Sequence, residues 1–311
     1  MNVSLTEKIR NRENGIVFYG MTPPKVTHTQ EEIAAIAHKQ IERIRPLDID
    51  GIVLYDIQDE ADRTDVVRPF PYIETVEPTK FAQEYLSVLE CPVVIYKAVG
   101  KHTHEELEAW LESRKGKETL CVFVGAASKD QQVHTTVRDA YALKKTVNPE
   151  LCLGGIAIPE RHMAKLDEHL RVYSKIENGC EFFVTQAVYN LEASKKFLDD
   201  YVAKMKVANM PLVPVIFTIT PCGSVKTLEF MKWLGISVPD FLADKLTDSD
   251  DILHDSVMYV RDIFKELYVY AQEIGIPVGC NVESVSIRKA EIDASIELLE
   301  EVKRVIRLYT K

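Results

Sequence analysis

Eight short apolar runs, each followed by an amphipathic helical stretch, predict an α/β chain folded as a single (β/α)8 TIM barrel over residues 1–311, with an extra helical excursion before strand 8. The runs are continuously apolar rather than alternating, as expected of strands buried on both faces. No GxGxxG turn follows the first run, which weighs against the alternative, an open doubly wound sheet. No Pro/Ser-rich linker divides the chain, so one domain is expected.

The elements follow in order. Run 1 is 15–22 (GIVFYGMT), and helix 30–44 behind it carries Ile33, Ile36, Ala37, Ile41 and Ile44 on one face. Run 2 is 51–57, followed by a long polar loop and a helix near 78–89. Run 3 is 92–99, and its helix 103–114 opens on Thr103 with Glu106 three positions on, a loose capping-box pattern. Run 4 is 119–125 with helix 135–146. Run 5 is 151–158 with helix 165–178, which Gly179 should stop. Run 6 is 181–188 with helix 191–208, and run 7 is 212–219 with helix 224–234. A helical stretch at 239–274 interrupts before run 8 (277–282) and the last helix, 288–308. Phe264, Leu267, Tyr268 and Tyr270 on the excursion read as core, with a homo-oligomer interface as the other possibility.

Composition narrows the function. With 38 Lys+Arg against 48 Asp+Glu the net charge is −10, so no global field draws the chain to nucleic acid or anionic lipid. No apolar run approaches the ~20 residues of a membrane span, and the N-terminus lacks a secretory signal pattern. The six cysteines form no CxxC and no zinc-spaced cluster, which reads as free thiols in a reducing, cytoplasmic setting. No HxH or HExxH occurs, and no metal is expected.

Barrel chemistry gathers where strands end. Strand 1 offers Tyr19 and Gly20; strand 2 offers Tyr55, Asp56, Gln58, Asp59, Glu60, Asp62 and Arg63; strand 3 offers Tyr96 and Lys97. Strand 4 offers Gly125, strand 5 Glu160 and His162, strand 6 Thr185 and Gln186, strand 7 Thr218, and strand 8 Asn281 and Glu283. Carboxylates, amides and tyrosines suit proton donation and recognition of a heterocycle edge. The bland reading stands beside it: the carboxylates as a solvated loop paired with Arg63 and Arg68, Lys97 as a rim ion pair, His162 as a surface histidine.

These residues resemble the methylenetetrahydrofolate reductase family. The match runs from about 15 to 285. It rests on Pro23-Pro24-Lys25, Asp62-Arg63-Thr64, Pro159-Glu160-Arg161-His162, and residues 177–186 (ENGCEFFVTQ), 211–219 (PLVPVIFTI) and 235–243 (GISVPDFLA). The order and spacing of the six pieces are specific; no single piece is. The resemblance implies a barrel that reduces 5,10-methylenetetrahydrofolate to 5-methyltetrahydrofolate with NAD(P)H, most members working through FAD. It assigns Gln186 to the pterin.

The departures from the family pattern are pointed. Gly20 stands where the family has its acidic Glu. Val124-Gly125-Ala126 replaces Arg-Gly-Asp, Tyr96 replaces a flavin-contacting His, and Ile158 replaces the Tyr of YPE. The phosphate-binding Asn and Arg become Arg171 and Ser174, while Lys175 remains; Cys222 takes the place of an aromatic. Each lost charge-assisted contact costs about 1.5–3 kcal/mol, so the FAD site is expected to be altered or lost. The expected acid is then Glu60, Asp59, Glu283 or Asp56, with Gln186, Asn281, Tyr19, Tyr55, Tyr96 and Thr218 on the folate substrate, and Lys97, Gly125, His162 and Lys175 on cofactor. Another folate-dependent one-carbon enzyme, or a folate-binding protein without the reductase reaction, is the alternative.

Overall fold

The computed structural model describes residues 3–60, 64–126 and 131–310. Asp62 and Arg63, named above, lie outside the described residues. The eight strands form a closed parallel barrel in chain order: β1 (Val17–Met21), β2 (Gly51–Leu54), β3 (Val93–Ala98), β4 (Leu120–Val124), β5 (Cys152–Ala157), β6 (Cys180–Ala187), β7 (Val215–Ile219) and β8 (Val278–Glu283). The expected fold class is the observed one. Contacts divide the chain into two compact units, Met1–Tyr19 with Gly155–Lys311, and Gly20–Gly154.

The first unit opens on α1 (Leu5–Arg10), a helix the apolar pattern does not announce; Ser4 and Glu7 close a capping box on it, and Leu5 and Ile9 are buried. Its strands pair in register, with Phe217 beside Cys280 and Thr218 beside Asn281. Gly279 permits close backbone packing here: a Cβ would stand 2.3 Å from the Ile16 carbonyl oxygen. The helix expected over 165–178 is preceded by another that was not expected. α6 (Pro159–Lys165) begins at the proline and ends on Leu166, which is left-handed at φ 49°, and α7 (Glu168–Glu177) follows. Gly179, at φ 98°, stops α7 as expected.

α8 (Leu191–Val207) is capped by Asn190. The excursion is displaced from its predicted place. α11 (Ile252–Glu273) packs on α8, β7, β8 and α12 (Lys289–Tyr309), and so serves as the layer helix between the last two strands. α9 (Val225–Trp233) and α10 (Asp240–Thr247) are the additional pair. The apolar pattern alone cannot separate a layer helix from an extra one, since both bury a stripe. Phe264, Leu267 and Tyr268 are buried, while Tyr270 is half-exposed.

The second unit carries α2 (Gln30–Ile44), α3 (Pro78–Glu84), α4 (His104–Ser113) and α5 (Val137–Val147). Thr103 and Glu106 form a complete capping box, firmer than the sequence pattern suggested. α3 is shorter than expected because the chain tightens into a 3-10 turn at Leu86–Val88. Among the described residues no helix is long and apolar enough to cross a membrane. All six cysteines are free; Cys91 is half-buried and the others are buried.

Candidate functional site

In the first unit the ends of β6, β7 and β8 carry a neutral polar network. Asn281 Nδ2 donates to Thr218 Oγ1 (3.0 Å), and the Thr218 N–H donates to Thr185 Oγ1 (2.9 Å). The register shift between Val184 and Ala187 makes this hydroxyl-to-backbone bond possible, because it breaks regular pairing with β7 at Thr185. Thr185, Thr218 and Asn281 are all buried. Gln186 is half-buried and its Nε2 donates to the Leu234 carbonyl (2.9 Å), which fixes the orientation of the amide. Glu283 ends β8, half-buried.

Glu160 sits in the first turn of α6, directly after β5, and is buried. Burial dominates its ionisation and raises its pKa from 4.5 to about 8. The N–H groups of Tyr189 and Asn190 pull the other way, but neither carboxylate oxygen closes a well-formed hydrogen bond. A carboxyl protonated at neutral pH can donate a proton. The sequence places Glu160 at a strand end, yet only burial distinguishes it from the other carboxylates there, and burial at a helix start is not written in residue spacing.

Several expected site residues of this unit are turned elsewhere. Tyr19 directs its hydroxyl to Ser295 Oγ on α12 (3.0 Å), so its polar tip is spent on the helix layer. His162 is neither a surface histidine nor a strand-end group: it is fully buried, with Nε2 2.8 Å from Asp200 Oδ2 on α8. The one-residue placement of Glu160 and His162 "after strand 5" hid this, because a helix starting at Pro159 sends residues 160 and 162 in different directions. Lys175 reaches the end of β5, where its ammonium donates to the Ile156 carbonyl; burial lowers its pKa. Cys222 is buried, its Sγ 3.5 Å from the Ser224 carbonyl, and burial pushes the thiol up to about 12.

In the second unit the strand ends are charged and largely committed. Asp56 accepts from the Ala98 N–H (2.8 Å) and from Lys101 Nζ (2.6 Å). Both oxygens are occupied, so the expected acid Asp56 is a tie between strand ends instead. Lys97 is buried against Glu77 (2.9 Å) and lies 5.4 Å from the centre of the Trp110 ring, which turns it to the helix layer rather than to a cofactor. Gly125 gives its carbonyl to Gln58 Nε2 (2.9 Å), and Gln131 Nε2 donates to Gln58 Oε1 (2.9 Å). Gln58 thus fills a role that the sequence reading did not give it. Tyr55 and Tyr96 meet edge to face with ring centres 4.9 Å apart. Asp59 and Glu60 stand within electrostatic reach of Arg68.

Comparison with known proteins adds a family. The sequence profile of methylenetetrahydrofolate reductase matches residues 126–268. The chain is 29% identical over 132 residues to methylenetetrahydrofolate reductase 2 of Schizosaccharomyces pombe, an alignment covering 37% of this chain and 20% of that protein. The chain therefore matches about a fifth of the length of this curated relative. A solved structure from Clostridium thermocellum, described as an uncharacterized protein that binds two copies of 5-methyl-5,6,7,8-tetrahydrofolic acid, is 50% identical with a TM-score of 0.87. The match covers 97% of this chain and 99% of that one.

Proposed function

This chain belongs to the methylenetetrahydrofolate reductase family, and from that premise we propose that it binds a reduced folate at its strand ends and reduces the 5,10-methylene bridge to a 5-methyl group with NAD(P)H. The observation that carries the reading is the full-length similarity, at 50% identity, to a protein that binds 5-methyltetrahydrofolate. The buried Asn281 and Thr218 and the half-buried Gln186 support it, since a pterin edge presents alternating donors and acceptors.

The reaction needs two transfers. NAD(P)H supplies a hydride to the methylene carbon, and an acid supplies a proton to the amine nitrogen that departs from it. Gly20 can supply none. In this reading Glu160 and Glu283 are the candidate acids of the first unit, and Glu60 and Asp59 those of the second. Glu160 is favoured by its raised pKa, whereas Glu60 and Asp59 stand beside the Arg68 charge.

The flavin of the wider family does not fit the residues present. Lys97 is paired with Glu77, the Gly125 carbonyl with Gln58, and His162 is enclosed with Asp200. The proposal therefore takes hydride directly from the nicotinamide. Free cysteines support a reducing, cytoplasmic setting.

Gly20 favours a second reading, in which the barrel binds 5-methyltetrahydrofolate without reducing anything or passes its methyl group onward. Mixing purified protein with methylenetetrahydrofolate and NADH or NADPH decides between them. Loss of nicotinamide absorbance with formation of 5-methyltetrahydrofolate supports the reductase. Binding of 5-methyltetrahydrofolate without nicotinamide oxidation supports the second reading, and a tightly held yellow chromophore would refute the flavin-free form.

A further inference from the structure

Three side chains from three consecutive helices of the first unit meet away from the strand-end network: His162 on α6, His169 on α7 and Asp200 on α8. One ring nitrogen of each histidine and one carboxylate oxygen lie within 4.8 Å of one another. The left-handed break at Leu166 creates the arrangement. It ends α6 and restarts the chain as α7, so two histidines seven positions apart come from different helices and their rings meet edge to face at 5.1 Å.

The hydrogen bonding of this cluster is incomplete. His162 is 0% exposed, and its Nδ1 has no hydrogen-bond partner. The Nδ1 of His169 is also buried without one. A buried ring nitrogen without a partner is costly, and a cation held between the two rings and the carboxylate would take one nitrogen lone pair from each ring. Phe197, 6.1 Å from the His162 ring centre, helps hold that ring in place. Lys196 Nζ takes Asp200 Oδ1 at 2.7 Å, which leaves Oδ2 directed at His162.

We propose that His162, His169 and Asp200 form a binding site for a divalent transition metal of the zinc class, clamping α6, α7 and α8 with water completing the shell. Two imidazoles and one carboxylate are a donor set for zinc or cobalt, whereas magnesium and calcium favour oxygen alone. Zinc bonds of about 2.0–2.2 Å put tetrahedral ligand atoms roughly 3.3 Å apart, so the cluster closes with side-chain shifts of about an ångström or two. The proposal is independent of the folate reading.

The test uses the full chain, stripped with a chelator and titrated with Co2+ and then Zn2+. The expected result is one equivalent of Co2+ bound with a new visible absorption band, displaced by Zn2+, and a raised unfolding temperature. His169→Gln and Asp200→Asn, both at partly exposed positions, should each weaken binding at least about tenfold. Lys196→Ala, which removes the competing ammonium, should strengthen it, and His38→Ala, at an exposed histidine on α2, should change nothing. Absence of a cobalt band and of any thermal shift in the unaltered protein would overturn the proposal. Equal binding in the unaltered protein and both ligand variants would do the same, leaving an ordinary imidazole–carboxylate hydrogen bond.

Discussion

The ends of strands β6–β8 and those of β2–β4 use their polar residues in opposite ways. The first set is chiefly neutral: the buried Thr185, Thr218 and Asn281 bond in a chain, and the half-buried Gln186 is anchored by a single carbonyl. The second is charged, and its charges are consumed in holding the chain together: Asp56 with Lys101, Lys97 with Glu77. Buried neutral amides retain directional recognition at modest desolvation cost, whereas a paired charge can be spent on a ligand only by breaking its existing partner. The comparison teaches that the later strand ends keep neutral polar groups of the kind the proposed folate recognition needs, while Asp56 and Lys97 of the earlier ones are already engaged in ion pairs.

Asp56→Ala should produce the largest effect. It leaves the Ala98 N–H without its acceptor and Lys101 with the Ile57 carbonyl alone, and should cost about 3 kcal/mol of stability, read from a denaturant midpoint. An unchanged midpoint would erase the distinction between the two sets.

Glu160→Gln sharpens the contrast through pH. The folded carboxyl has its pKa raised to about 8 against 4.5 for the unfolded group, so the folded state holds the extra proton. Its stabilising contribution is full below about pH 4.5 and is lost as pH rises toward about 8. The unaltered protein should therefore lose stability by up to a few kcal/mol across that window, and the glutamine variant should lose less. Parallel pH curves for the two proteins would show that Glu160 titrates normally.

Gln186→Ala and Asn281→Ala should each weaken binding of 5-methyltetrahydrofolate by about tenfold, roughly 1.4 kcal/mol. Lys97→Met, chosen from the committed set, should leave that affinity unchanged; a comparable loss there would put recognition at the earlier strands after all. The smallest effect is expected from Thr103→Ala, which removes the N-cap of α4 and should cost about 1 kcal/mol without altering binding.

Periodicity exposed the strand order, the fold class and the stop at Gly179, because a strand buried on both faces has no polar alternation to hide in. It did not expose α1, whose two buried residues are too few to form a stripe, nor the roles of α9–α10 and α11. Strand-end reading brought Thr218, Asn281 and Gln186 forward correctly as polar groups at β-strand ends. It could not tell which face a residue takes. Tyr19 and Lys97 each sit one position from a residue of the opposite face, and both are spent on the helix layer. His162 was misplaced for a related reason: Pro159 starts a helix, and the period changes from two to 3.6 within three residues.

The account stands on recognition of a reduced folate. Calorimetric titration of the purified chain with 5-methyltetrahydrofolate tests it directly. Saturable heat that weakens in both Gln186→Ala and Asn281→Ala, but persists in Lys97→Met, is the predicted result. A well-folded protein that gives no heat with this ligand would contradict it.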